Sequence, residues 1–490
     1  MLVRHFASTA NALAIKPTRT SASFTFATKY PRKARSPTTP SRLRLEPKKS
    51  NQKQKSKFEL FQPDPLDIEK KASAPFGALG LDPSVVLGIQ QGLGFTAPSQ
   101  IQLAGIEAIL SNPDRHVLCG SQTGSGKTVT YLAPVMHMLK QQEKKVLESA
   151  ASKYQMIEAV SANGKVFGAS NSLAAIRKLG RPRGIVLVPS RELVSQVTKT
   201  AKLVSHYCKL RVVGMHGRTK NISELLTAPI DILVITPSTL LTMIEEKKLS
   251  LANTSHIVMD EADTLYDTHY VAEIQPFIQS ALKISSSQGK SCSFIMVTAT
   301  FPRTLEQALE TEFQNVLRIT SDTLHKTPSN LKQHFLRIDG STTKPNLLLD
   351  IIKRASIDTN RMLIFCNTRD TVHNVAKILT AKSIDCAVIS SLHHPEELKR
   401  ETTRFFDTEA FPGFMACVST DMASRGIDTT AVGHVVLYDF PSTAIDYLHR
   451  VGRTARFGRA GRATSMLMKK DLPLAELIQK QVSSRQPLAQ

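Results

Sequence analysis

The stretch that decides the fold is His116-Val117-Leu118-Cys119-Gly120-Ser121-Gln122-Thr123-Gly124-Ser125-Gly126-Lys127-Thr128. A short apolar run, His116–Cys119, enters a glycine-rich loop, and a helical pattern follows through Leu139. Backbone N–H groups of such a loop, at a helix N-terminus whose dipole favours anions, can wrap a phosphate. Gly124 and Gly126 permit the close approach, with Ser121, Gln122, Thr123 and Ser125 completing the loop. Lys127 is placed to reach the outer phosphates, and the Thr128 hydroxyl to bind Mg²⁺. Ser121 stands where the usual pattern has its first glycine, although Gly120 precedes it. A glycine-rich turn without chemistry is the competing reading, and the flanking strand and helix patterns argue against it.

Outward from the loop, His256-Ile257-Val258-Met259 reads as a buried strand ending on Asp260-Glu261-Ala262-Asp263. An acid at the end of a parallel strand beside a phosphate loop can hold Mg²⁺, directly or through water. Its neighbour Glu261 is placed to take a proton from an attacking water. Alone, the pair would read equally well as a helix cap.

Similar runs recur at Ile185–Val188, Ile232–Thr236 and Ser293–Val297, then at Met362–Cys366, Cys386–Ser390, Phe414–Thr420 and His434–Tyr438. Each is short, mostly apolar and followed by a turn or helical pattern, the signature of parallel α/β domains. The polar segment 321–330, with Pro328, divides the series. One domain is therefore expected over about 75–320 and a second over about 331–480, joined by a short hinge. Residues 141–181, rich in Lys, Glu, Ser, Ala and Gly, read as an inserted surface loop with some helix.

The chain has 490 residues, 41% hydrophobic and 21% charged, enough apolar material for more than one core. No run approaches the roughly 20 apolar residues of a membrane helix. Six scattered cysteines without metal-ligand spacing read as buried free thiols in a reducing compartment. Of the formal net charge of +22, residues 1–58 carry +13, with Glu46 their single acid. The first 45 residues have no acid and are rich in Arg, Ser, Thr and Ala, the composition of a removable mitochondrial import sequence. A disordered basic arm that binds RNA or addresses the nucleus is the alternative. Residues 46–74 read as a basic linker.

The ordered motifs carry a family resemblance. From about residue 75 to 465 the chain resembles the DEAD-box RNA helicases of superfamily 2. Gly94-Phe95-Thr96-Ala97-Pro98-Ser99-Gln100-Ile101-Gln102 resembles their adenine-reading Q motif. The resemblance implies that Gln102 bonds the adenine edge, Phe95 stacks on its face and Phe76 supports the pocket. Pro189-Ser190-Arg191-Glu192-Leu193 and Thr236-Pro237-Ser238 resemble motifs Ia and Ib, implying RNA contacts from Arg191, Thr236 and Pro237. Thr298-Ala299-Thr300 stands where the family has Ser-Ala-Thr. Leu363–Thr368 resembles motif IV, Thr420–Asp428 motif V, and His449–Arg456 motif VI. By the same resemblance, Asp428 contacts the ribose and Thr420 and Arg425 face RNA. Arg453 and Arg456, expected on one side of a helix, act as arginine fingers on the γ-phosphate. Ala455 replaces the usual glycine beside them.

The resemblance implies an α/β fold of two tandem RecA-like domains behind a disordered basic extension, with ATP and Mg²⁺ as cofactors. It implies an ATP hydrolase that remodels or locally unwinds RNA; a nucleotide-dependent RNA clamp with little unwinding is the alternative. The import-like N-terminus with Ser121, Thr298 and Ala455 points to a fungal mitochondrial member, of the type linked to assembly of the large mitoribosomal subunit. Its expected partners are mitochondrial RNA, including large-subunit rRNA, met in the matrix by a monomer acting on ribonucleoprotein.

Overall fold

The computed structural model describes residues 59–60, 75–158 and 170–488, apart from 267–269, 288, 290, 314, 322–323, 341, 356–358, 391–394, 422–428, 430, 457–458 and 485. The expected import segment 1–45, most of the linker, and Arg425 and Asp428 lie outside the described residues.

Two all-parallel sheets organise the chain. The first contains β1 (Glu59–Leu60), β2 (Val117–Gly120), β3 (Gly184–Leu187), β4 (Val212–Met215), β5 (Ile232–Ile235), β6 (His256–Asp260), β7 (Ser293–Thr298) and β8 (Leu317–Thr320). Their order is β1-β8-β2-β7-β6-β3-β5-β4. The second contains β9 (Leu331–Arg337), β10 (Arg361–Phe365), β11 (Cys386–Ile389), β12 (Met415–Ser419), β13 (His434–Leu437) and β14 (Gly461–Leu467), ordered β11-β12-β10-β13-β14-β9. The principal helices of the first half are α1 (Gln100–Ser111), α2 (Lys127–Glu158), α3 (Arg191–Cys208), α4 (Pro237–Glu245) and α5 (Ala262–Leu265). The second half carries α6 (Arg369–Ala381), α7 (Ala444–Val451) and α8 (Leu472–Ser483) among others.

Central strands are apolar on both faces because helices cover both faces of a parallel sheet. In β5, Ile232, Leu233, Val234 and Ile235 are all inaccessible to solvent. The two faces feed separate cores: Val186, Val234 and Val258 pack on one side, Ile185, Leu233 and Ile257 on the other. The second sheet repeats this, with Leu363 and Val435 on one side and Ile364 and Val436 on the other.

Two expectations need correction. In the segment read as a surface loop with some helix, residues 141–158 are all helix and continue α2. The reason is visible at Glu143, buried among Lys140 (2.8 Å), Arg177 (2.7 Å) and Arg183 (2.7 Å). Arg183 precedes β3 and also pairs with Asp231, which precedes β5, at 2.9 Å. This buried network lies at the N-terminal ends of the strands, away from the phosphate loop. The linker, in turn, includes β1, whose Glu59 and Leu60 register with Leu317 and Arg318 of β8.

Candidate nucleotide and RNA site

The phosphate loop hangs between β2 and α2. Gly124 and Gly126 take φ of +79° and +97°, a region glycine enters without steric cost. At Gly126 there is a second reason: a Cβ there would come 2.4 Å from the Gln102 amide nitrogen. Ser99 caps α1 in a reciprocal box, its Oγ accepting from Gln102 N while Gln102 Oε1 accepts from Ser99 N at 2.8 Å. The Gln102 Nε2 donates to Gly126 O (3.2 Å), and Ser99 Oγ donates to Ser125 O (2.8 Å). Gln102, buried, therefore braces the loop from behind, whereas Phe95 is half-buried and lines the cleft. Phe76 is fully buried in the core.

Ser121 is buried; its N–H donates to Thr298 O and its hydroxyl accepts from Ser321 at 3.0 Å. A side chain at this position thus ties the loop to the polar segment 321–330. Lys127 Nζ donates to Ser121 O (2.7 Å) and Gln122 O (2.8 Å). Burial pulls its ammonium down to about 8, with Asp260, Asp263 and Glu261 acting against the fall. Ser125 Oγ is buried without a partner among the described residues.

The acidic tetrad closes β6. Asp260 Oδ2 accepts from Tyr131 Oη at 2.8 Å and Oδ1 from Glu261 N at 2.9 Å. Burial, and then Glu261, push the Asp260 carboxyl up to about 6. Tyr131 was not singled out in the sequence, although a helix starting at Lys127 puts residue 131 one turn on, over the same face. Glu261 has φ of +51°, a left-handed conformation uncommon for a non-glycine residue. Asp263 Oδ2 accepts from Thr300 N (3.1 Å) and Thr300 Oγ1 (2.6 Å). Although burial opposes it, hydrogen bonds from His449 and Thr300 hold the Asp263 carboxyl well below the usual carboxylate range. Thr298 Oγ1 donates to Thr300 O at 2.6 Å, so a hydroxyl suffices where the family has serine.

The second half reaches this site through α7 and the turn behind it. His449 Nε2 lies 3.4 Å from Asp263 Oδ2, and Thr123 Oγ1 donates to Gly452 O at 3.4 Å. Arg453 and Arg456 do not share a helix face as expected: α7 ends at Val451, Gly452 caps it, and both arginines lie in the following turn. That turn needs a left-handed residue, and Ala455 supplies it at φ +57°. Both arginines nevertheless line the same cleft, of about 360 Å³, as Lys127, Thr128, Asp260 and Glu261. Arg450, by contrast, is buried and fully engaged, with Asp421 at 2.7 and 2.6 Å and Asn367 Oδ1 at 2.7 Å.

Residues expected to face RNA sit at C-terminal strand ends. Arg191 opens α3 after β3, its guanidinium donating to the Glu192 carboxylate, with Ser190 capping the helix. Thr236 and Pro237 open α4 after β5; Thr236 Oγ1 meets Thr239 Oγ1 at 2.8 Å, and Pro237 is buried. Thr420 follows β12, its carbonyl accepting from Ser419 Oγ at 3.0 Å.

Residues 99–308 match the DEAD/DEAH box helicase family, and 343–458 match the helicase conserved C-terminal domain. The chain is 30% identical over 455 residues to the mitochondrial ATP-dependent RNA helicase mrh4 of Neurospora crassa, covering 78% of this chain and 71% of that one. The chain belongs to the DEAD-box ATP-dependent RNA helicases. DEAD-box ATP-dependent RNA helicase 39 of Arabidopsis thaliana is 32% identical over 425 residues, 86% of this chain. This chain spans 63% of the length of that relative. In fold, S. cerevisiae Dbp5 bound to RNA and ADP BeF3 superposes with a TM-score of 0.65 at 23% identity, over 84% of this chain and 94% of Dbp5. Both halves of this DEAD-box protein are RecA-like. Among its described residues no helix is long and apolar enough to cross a membrane.

Proposed function

We propose that this DEAD-box protein hydrolyses ATP in the cleft between its two sheets and uses that cycle to remodel or locally unwind RNA. One observation carries the reading: Lys127, Asp260 and Glu261 from one half and Arg453 and Arg456 from the other line a single cleft. In it, Lys127 exchanges two loop carbonyls for phosphate oxygens, with Ser121–Gly126 supplying backbone donors and Ser125 a hydroxyl. Glu261 takes the proton of the attacking water. Arg453 and Arg456 stabilise charge that grows on the transferring phosphoryl group. Phe95 packs on the adenine. The Gln102 amide, with one donor and one lone pair spent, keeps one of each for the base edge. Asp428 is assigned to the ribose by its motif alone.

Thr128 and Asp260 line that cleft as a hydroxyl and a carboxylate, the donor set that suits Mg²⁺ when phosphates and water fill the remaining positions. These two residues would hold the ion, which would neutralise phosphate charge. Asp260 is already aimed by Tyr131 and the Glu261 N–H.

RNA binds on the face formed by Arg191, Thr236, Pro237 and Thr420, and Arg425 is assigned to RNA by its motif alone. Burial of Pro237 leaves its contact to the ring edge and the α4 N-terminus. Both ligands favour the closed pair of halves, so each raises affinity for the other. The domains divide at the polar segment, 75–320 holding ATP and 331–480 bringing the arginines. Likeness to the Neurospora mitochondrial helicase and the acid-free residues 1–45 support import into the mitochondrial matrix. There a monomer acts on ribonucleoprotein, with large-subunit rRNA as the substrate. The test is ATP turnover with and without RNA, together with strand separation of a short duplex. RNA-stimulated turnover with separation supports the reading; RNA-stimulated turnover without separation assigns a clamp, and RNA-independent turnover or none rejects both.

A further inference from the structure

A second groove, of about 740 Å³, lies on the first half along the outer strand β4 and α3. Its wall is a stripe of one helix face. Arg191, Ser195, Lys199, Lys202 and His206 follow one another at spacings of four, four, three and four residues, so they align along α3. Ser195, Lys199, Lys202 and His206 all line the groove and all are exposed. At a rise of about 1.5 Å per residue, the stripe runs roughly 22 Å from Arg191 to His206. Its upper end is continuous with the RNA-facing strand ends. There His216, which follows β4, also lines the groove and sits close enough to Arg191 and Arg218 to feel both charges, offset in part by the Glu192 carboxylate that pairs with Arg191.

Three features select the occupant. The charged residues lining the groove are lysines, with histidines beside them and no carboxylate. The Ser195 hydroxyl and the Tyr207 ring, edge-on to His206 at 5.3 Å, add hydrogen-bonding and stacking surface. Strand addition by a peptide is disfavoured, because Val212 and Val213 of β4 are each only 5% exposed. A basic groove with an aromatic and hydroxyls suits the backbone and bases of a single strand.

We infer that this groove holds a single-stranded RNA flank that leaves the Arg191–Thr236 face and runs down α3 along Lys202 and His206. The inference rests on the RNA reading above and extends the contact beyond the motif residues. Its role is to lengthen the bound segment on one side of the remodelled site, in a manner independent of sequence, since lysines meet phosphates.

The test uses the full chain with a non-hydrolysable ATP analogue and fluorescence anisotropy. Probes are a short RNA, sized to the motif face, and longer RNAs extended at either end. Lys199 is left intact because it also lines the nucleotide cleft. The variants are Lys202→Glu with His206→Glu, and Lys202→Ala alone. The expected result is unchanged affinity for the short RNA and, in a separate assay with ATP, unchanged ATPase stimulation by it. Loss of about three- to tenfold is expected on one of the extended RNAs, and Lys202→Ala should make its salt slope shallower by about 0.7. Equal loss on short and long RNA, or no change on either, overturns the groove. So does displacement of no RNA by polyglutamate that nonetheless binds at Lys202, which assigns the groove to an acidic protein. Wild-type protein that binds no short RNA at all breaks the functional reading instead, so the two failures are distinguishable.

Discussion

The two halves share an architecture down to the start of their central strands, yet they serve the cleft in different ways. In the first half, a buried His256 opens β6 with its Nδ1 2.8 Å from Ser293 Oγ; in the second, a buried His434 opens β13 with its Nε2 2.8 Å from Thr464 Oγ1. A buried arginine stands at the start of a central strand in each, Arg183 just before β3 and Arg361 as the first residue of β10. Arg183 is neutralised by Glu143 and Asp231, whereas Arg361 is held by the carbonyls of Phe405, Phe411 and Gly413. The difference appears at the opposite strand ends. The first half holds its chemistry on secondary structure: Lys127 at a helix start, Asp260 at a strand end, with Tyr131 and Gln102 as braces. The second half delivers Arg453 and Arg456 on a turn whose Ala455 is strained, secured across the cleft by His449–Asp263 and Thr123–Gly452. In the proposed function, one half grips nucleotide through geometry set by its own elements, and the other contributes charge from a turn docked across the cleft.

The largest expected effect breaks the second half's contribution. Arg456→Ala should lower RNA-stimulated kcat by about 10³ to 10⁵ while ATP affinity changes little, measured by steady-state turnover and nucleotide titration. Retained kcat with weakened ATP binding would move Arg456 into the preformed grip. Next, Glu261→Gln should lower turnover by about 10² to 10⁴ with ATP and RNA binding kept. Full activity in that variant removes Glu261 as the base.

The shared histidines give an acid test of their likeness. Burial holds His256 down to about 4, and burial with nearby Arg462 and His334 holds His434 down to about 3. Both stay neutral when folded, while the unfolded chain takes up protons below about 6.5. Stability is therefore complete above that pH and is lost as pH falls toward 4, by on the order of 3 kcal/mol per histidine at pH 4. Urea unfolding at pH 7 and pH 4.5 reads this, and His256→Gln or His434→Gln should each flatten the dependence. The smallest effect sharpens the account of the turn. Ala455→Gly should raise the unfolding free energy by about 1 kcal/mol by relieving the left-handed strain. A loss of stability would mean that Ala455 contributes more through packing than it costs in backbone strain.

The fold was legible where strands are central and apolar on both faces, as in Ile185–Val188 or Met362–Cys366. It was less so at β9 and β14, where Leu331–Arg337 is mostly half-buried or exposed and Gly461–Leu467 carries Gly, Arg, Thr and Ser. The extension of α2 was hidden because Lys, Glu, Gln and Ala suit an exposed loop and a helix alike. Only three-dimensional pairing shows why Glu143 is inside. At the site, Lys127, Asp260 and both arginines could be read from local motifs. The Tyr131–Asp260 bond and the brace from Gln102 to Gly126 join separate elements and could not be read from the sequence. The turn carrying the arginines was read as helix, although Gly452 is a helix-stop residue just before them.

The most direct test of the central claim, that the arginine turn completes a site otherwise built in the first half, is a comparison of ATP turnover with and without RNA in wild type and in Arg453→Ala/Arg456→Ala. The account predicts strong RNA stimulation in wild type, and in the double variant a residual, RNA-insensitive rate with nucleotide binding retained. Equal turnover with and without RNA in wild type, or stimulation that survives loss of both arginines, would contradict it.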